Sequence, residues 1–439
     1  MLSGKNISEI FWLVFGQLVS MILGIISIKI LTSMGPSEYG KYVLVGTLMA
    51  FLSALLYGPA EQGFIRFYFY YANKGFARTY INYIYKFLTI AAFFFLFLCC
   101  IAISVNYMLG TPEKHLFIFF AAIFMIVSAS TTPFSAMLNL LRKRKVNALI
   151  KVIERALSVA LLFLLFKYSN LSLLSALFVL SITIIIFIVI KIYILNRFIP
   201  DDNRIWQEDT ASSIRLKLIA DVKKFSLPFC IWGGFGWLQS NSEGWVIVSF
   251  LSAGDVGRFG LMIAVANYLI AIPSGIIAQF AIPIIYKRFS VLSDQIQVNK
   301  GQLSIRYLVV STIILVILST SMTACLGKEV IFLLSSDKFL NYYYLLPFVC
   351  FAVGLFHIGQ SLTTIGMSLN MPEEYVTPKV ITGVLAVLMN IVFIKLLGID
   401  GIVFSLCTIG MVYLILICRS NSKIKSKFIS SVLCDDFGK

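Results

Sequence analysis

The stretch PSEYGKY occupies residues 36–42, directly after the first long apolar run, and AGDVGRF at residues 253–259 echoes it after the seventh. Both read small, small, acid, any residue, Gly, base, aromatic: Glu38-x-Gly40-Lys41-Tyr42 is matched by Asp255-x-Gly257-Arg258-Phe259. Gly, acid and base are common in turns, so one copy alone carries little weight. The weight comes from where the two copies sit among the apolar runs.

The surrounding 439-residue chain is 59% hydrophobic and only 13% charged, against about 25% charged in a soluble domain. That composition belongs to a polytopic membrane protein. Runs of about 20 apolar residues cross a bilayer as helices. The chain has twelve, near 10–31, 42–60, 87–109, 116–139, 150–167, 171–194, 225–249, 257–282, 304–326, 341–366, 377–397 and 400–418. They are continuous rather than alternating, which excludes a strand barrel. The first run is followed by SIKILTSMG, not by a small-residue cleavage site, so it reads as a span and not as a signal peptide.

Lys and Arg fix the sides. Of the 36 bases, only Lys29, Lys41, Lys114, Lys167, Arg258, Lys328, Lys338 and Lys395 fall on the side opposite the N-terminus. Basic loops face the cytoplasm, so both termini are expected inside. The net charge of +16 then reflects topology and lipid headgroups rather than nucleic acid, which is excluded as a partner. The polar stretch at 201–224, which begins DDNRIWQEDTASS, is expected to link a six-helix lobe at 1–200 to a second lobe and tail at 225–439.

The echo now has a place. Each copy joins the first helix of its half to the second, on the same side of the membrane. Two six-helix halves in one orientation form a parallel repeat, an arrangement of secondary transporters with a substrate cavity between the halves. For the motif itself a structural role suffices: Gly for a tight turn or helix start, and an acid at a helix N-terminus. The fold class read from the chain is an all-α polytopic membrane protein of about 12 transmembrane helices in two six-helix lobes.

Several chemistries are not legible. Eight cysteines without a C-x-x-C pair, and only His115 and His357, argue against a metal site or a disulfide framework. No phosphate-binding G-x-x-x-x-G-K-[ST] occurs, so direct ATP drive is not expected. The outward loops are short, which argues against a membrane polymerase or glycosyltransferase. The chain reads as a non-enzyme without a cofactor.

Ionisable residues inside spans are functional-site hypotheses, since facing lipid costs roughly 2.5–3.5 kcal/mol or more. In CIWGGFGWLQSNSEGWVIVSF (230–250), Trp232, Gly236, Gln239 and Glu243 share one helical face behind Pro228. That face suits a cavity or a helix contact, and a carboxylate there could carry a proton. Gly58-Pro59 should kink the second span and leave Glu61 and Arg66 near its cytoplasmic end. Arg66 serves as an interface anchor or as a phosphate contact, which its fixed fork suits. Ser128, Thr132, Ser135 and Asn139 form a stripe leading to Arg142, and Gly354, His357, Ser361, Thr364 and Ser368 form another. Both patterns fit cavity lining and helix packing equally. Lys29 lies opposite the stripe Gln17, Ser20, Gly24 and Ser27, and snorkels to the interface or meets a cavity. LRKRK at 141–145, with Lys151, Glu154 and Arg155 after it, reads as a topology signal.

KILTSMGPSEYGKY (29–42), VSFLSAGDVGRFG (248–260) and MNIVFIKLLGIDGIVFSL (389–406) together resemble segments of bacterial polysaccharide transport proteins. These are the Wzx-type flippases of the multidrug/oligosaccharidyl-lipid/polysaccharide exporter (MOP) superfamily. The resemblance implies a two-lobed, MATE-like fold that opens alternately to either side of the bacterial inner membrane. It implies a substrate of oligosaccharide repeat units, O-antigen or related, on undecaprenyl pyrophosphate. It further implies coupling to a proton or sodium gradient, contact with membrane lipids and with other polysaccharide-assembly proteins, and a cationic cavity. Where members often carry Asp-Arg, this chain has Glu243-Gly244: the acid is kept and the base is lost. The expected site is therefore Arg66, Arg142, Gln239 and Lys29 for substrate, with Glu243, Glu61 and His357 for the coupling ion. A MATE-like drug antiporter is the alternative expectation.

Overall fold

Each copy of the repeated heptad is the first turn of a helix. In the computed structural model, which describes residues 4–108, 115–200, 208–289 and 295–437, the elements are helices throughout. In chain order they are α1 (Gly4–Thr32), α2 (Pro36–Leu52), α3 (Gly58–Asn73), α4 (Ala77–Met108), α5 (His115–Leu140), α6 (Arg144–Tyr168) and α7 (Leu173–Phe198). Then come α8 (Glu208–Phe250), α9 (Ala253–Ala266), α10 (Ile272–Phe289), α11 (Gln295–Leu334), α12 (Leu346–Ser368), α13 (Val376–Leu397) and α14 (Ile399–Phe437).

The start signals are physical. Gly35 takes the left-handed φ of +91° before Pro36 opens α2. Ser252 caps α9 by accepting from the Asp255 amide at 3.1 Å. Glu38 and Asp255 each lie in a first turn, where a negative charge meets the free amides. Asp255 is further held by Arg258 at 3.0 Å and by the Tyr342 hydroxyl at 3.2 Å.

The echo is also a contact. A Cβ on Gly40 would run into the Ala253 carbonyl, and a Cβ on Gly257 would run into that of Pro36. Position one of each copy thus abuts position five of the other, a reciprocal arrangement that marks a local two-fold between the segments. The glycines are there for close backbone approach, which adds to the turn role expected from sequence.

A second echo appears only in three dimensions. α2 and α3 are joined by a π-helical turn at Ser53–Tyr57, and α9 and α10 by another at Asn267–Ala271. In each, the residue after the turn bonds back five positions, Gly58 to Ser53 and Ile272 to Asn267. Pro59 and Pro273 come directly after. Proline lacks an amide and crowds the preceding turn, and the wider π turn absorbs the mismatch. The expected kink at Gly58-Pro59 takes this form.

Among the described residues, ten segments are long and apolar enough to cross a membrane. The other two expected spans fall on α6 and α8, which are not among the ten. With 25 and 43 residues they extend about 37 Å or more at 1.5 Å per residue, but they carry Lys151, Glu154 and Arg155, and the polar run Gln239–Glu243. The expected linker at 201–224 is helical from Glu208 onward as the start of α8, and its residues 201–207 lie outside the described ones. Lipid-facing surface is clearest on α4, where Ile90, Phe93, Phe94, Phe97 and Ile101 are exposed at helical spacing.

The chain divides into two compact units, Met1–Met34 with Lys41–Gly234, and Gly35–Gly40 with Phe235–Lys439. In the first, α1 packs on α6 and α5 on α7. Its core is rich in tyrosine, including Tyr57, Tyr68, Tyr71 and Tyr80. The hydroxyls of Tyr80 and Tyr71 find Phe64 O at 2.8 Å and Asp221 at 3.0 Å. In the second, α12 packs on α11 and α14, and α13 on α14.

Candidate functional site

Each unit encloses a polar cavity. That of the first unit has a volume of about 1030 Å³. Its α5 wall is the stripe noted in the sequence: Ser128, Thr132, Ser135 and Asn139 all line it, with Thr131 between them. Asn139 is fixed by the Asn147 amide at 2.9 Å. Ser53, Gly58 and Glu61 add a second wall. A π turn spends about five residues where an α turn spends four, so it brings Ser53 and Gly58 into line, with Glu61 one turn further.

The third wall is α6, whose Lys151, Glu154, Arg155 and Ser158 fall at three- and four-residue spacing and face the same space. The fourth is Lys191 of α7, 1% exposed, whose ammonium meets Glu154 Oε2 at 2.9 Å and the Thr131 hydroxyl at 2.7 Å. Lys151 lies within electrostatic reach of Glu154, Glu61 and Lys191. The cavity therefore carries Lys151, Arg155 and Lys191 against Glu61 and Glu154. Lys191 and Glu154 hold each other, and Lys151 and Arg155 stand exposed to the cavity.

A cavity of the second unit with a partly polar lining is smaller, about 270 Å³. Gln239, Ser240, Asn241 and Glu243 of α8 line it together with Asn267 of the second π turn and Phe356 and His357 of α12. Glu243 is 5% exposed. Its Oε2 and the Gln239 Oε1 are buried acceptors without a hydrogen-bond partner among the described residues. Beside this cavity lies Lys379 of α13, 3% exposed. Its ammonium sits 4.5 Å from the Phe356 ring centre and 5.2 Å from that of Tyr413. A desolvated cation–π contact contributes about 2 kcal/mol, less than the several kcal/mol that burying an ion costs. The two rings alone thus do not balance the cost of burying the Lys379 ammonium.

Of the residues expected from sequence, Glu61 lines the first cavity, and Gln239, Glu243 and His357 are brought together around the second. Arg66, Arg142 and Lys29 are exposed and line neither; Arg142 sits in the turn after α5 with φ of 56°. The bases of the first cavity are instead Lys151 and Arg155, which in the sequence read as a topology signal, and Lys191; Lys191 and Lys379 fall near the ends of the runs 171–194 and 377–397, where a base also reads as topology. Of the α12 stripe, Ser361 meets Thr312 of α11 at 3.1 Å and Gly354 abuts Val316, so those positions glue helices.

A family model described as polysaccharide biosynthesis protein matches residues 7–289. The chain belongs to that family. No curated protein matches this polysaccharide biosynthesis family member in sequence. Among solved structures it is similar to an inward-facing multidrug resistance MATE transporter of the MOP superfamily, with TM-score 0.70 and 13% identity over 93% of this chain and 96% of that one. The Vibrio cholerae MATE transporter VcmN aligns with TM-score 0.67 and 12% identity, over 96% and 97% of the two chains. A Pyrococcus furiosus MOP transporter, described as having a binding pocket of reversed polarity, aligns with TM-score 0.58 and 12% identity over 96% of each chain. At these identities the likeness shows the fold. The fold is that of a multi-pass helical membrane protein.

Proposed function

We propose that the protein is a flippase that moves oligosaccharide units linked to undecaprenyl pyrophosphate from the cytoplasmic to the periplasmic leaflet of the bacterial inner membrane. It does so by alternating access driven by a proton or sodium gradient. The observation that carries this reading is the first unit's cavity. Its hydroxyl and amide lining offers donors and acceptors to sugar hydroxyls. Lys151 and Arg155 offer charge-assisted bonds to phosphate or to a sugar acid. A drug antiporter of the same fold would need a cavity dominated by carboxylates, whereas bases outnumber acids here. In the second unit, Glu243 with Gln239 and His357 is a compact acceptor set suited to a proton or a small cation, and it takes the coupling role.

The test is complementation of a strain lacking the gene. Lys151→Ala with Arg155→Ala should cut surface polysaccharide at least tenfold and leave lipid-linked units inside, with the protein still present in the membrane. Unchanged polysaccharide in the deletion strain would sink the flippase reading. Full activity of a well-expressed Glu243→Ala variant would remove the coupling role alone.

A further inference from the structure

Glu243 and Lys379 are the buried charges of the second unit that the proposed transport cycle has not used as a pair. Lys379 reaches α8 where that helix lacks a side chain: a Cβ on Gly236 would lie 3.1 Å from Lys379 Cε and 3.8 Å from Nζ. Gly236 and Glu243 are seven residues apart, two turns on one face, so the carboxylate lies about 10 Å along the axis from that contact. Phe356 belongs to both environments, since the Lys379 ammonium rests on its ring and the ring lines the cavity that holds Glu243. Tyr413, also beneath the Lys379 ammonium, accepts from the Gln360 amide at 2.9 Å, and His357 lies beside Phe356. Among the described residues, no carboxylate lies within 4.0 Å of Lys379 and no base within 4.0 Å of Glu243.

We propose that Lys379 is the built-in counter-charge of Glu243, held off it by the Phe356–Tyr413 pair. Two opposite charges in one water-poor lobe are screened little by salt, so each sets the cost of the other. A cation arriving at Glu243 takes over the role of Lys379, and its departure restores that role. The lobe therefore never carries the carboxylate uncompensated.

The coupling role of Glu243 rests on the proposed function, but the pairing does not, and the experiment measures the pairing alone. The full chain is purified in lipid nanodiscs and its thermal unfolding midpoint is read for the parent, Glu243→Gln, Lys379→Gln and the double variant. The expected result is that Glu243→Gln lowers the midpoint in the parent and raises it in Lys379→Gln, a difference of at least about 2 °C. Lys379→Arg, which keeps the charge, should behave as the parent. An equal effect of Glu243→Gln in both backgrounds overturns the proposal. Should Lys379→Gln not fold, Lys379→Met, which keeps the stem, takes its place in the cycle.

Discussion

In the first unit Lys191 meets Glu154 at 2.9 Å and Thr131 at 2.7 Å; in the second, Glu243 and Lys379 are also deeply buried, and neither meets a counter-charge within 4.0 Å among the described residues. The same repeated unit thus treats charge in two ways. Paired ions are fixed and define a wall, so the large cavity keeps its shape around a large ligand. Ions held apart are responsive, since any small cation or proton changes their balance. The cavities differ in volume as well, about 1030 Å³ against about 270 Å³.

The division between the units is most exposed to challenge at Lys191. Lys191→Met removes one partner of a buried pair and leaves Glu154 with only the more distant Lys151, which should destabilise the protein by about 3 kcal/mol. The readout is the unfolding midpoint, and adding Glu154→Gln should recover most of the loss. A cost below about 1 kcal/mol would mean that water in the cavity already compensates Glu154. Neutralising the second unit's charges together should act in the opposite sense. Glu243→Gln with Lys379→Gln should stabilise the chain by about 1–2 kcal/mol, because two desolvated ions become neutral groups of similar shape.

Smaller changes probe the same contrast. Gly236→Ala places a methyl 3.1 Å from Cε near the end of the Lys379 side chain and should cost less than about 1 kcal/mol, while altering the response to Glu243→Gln in the same unfolding assay. Ser128→Ala removes a hydroxyl of the large cavity that has no partner among the described residues. It should change stability by no more than about 0.5 kcal/mol, so a loss of function in the complementation assay is a ligand effect.

Much of the site is legible in the chain itself. The α5 stripe and the α8 face follow from helical spacing; the stripe lines the first cavity, and Gln239 and Glu243 of the face line the second. The second π turn is not legible, because AIPSG at 271–275 differs little from any proline near a span. Lys151, Glu154 and Arg155 are hidden for a related reason. Bases at the cytoplasmic end of a span serve topology whichever way they point, and direction is set by the neighbouring helix. Arg66 and Arg142 show the converse, since residue type suits phosphate but packing leaves both outside the cavities.

Composition and spacing are enough to fix the class. Twelve apolar runs longer than a soluble core tolerates have no stable place but a bilayer, and a polar heptad repeated after the first and seventh runs marks a duplicated unit. Which charges meet is settled by packing instead. Lys191 lies on α7, Glu154 on α6 and Thr131 on α5, while Lys379 on α13 leans against Gly236 of α8. Helical periodicity assigns residues to a face of their own helix. The neighbour that each face meets depends on how many helices pack together, and no single helix encodes that.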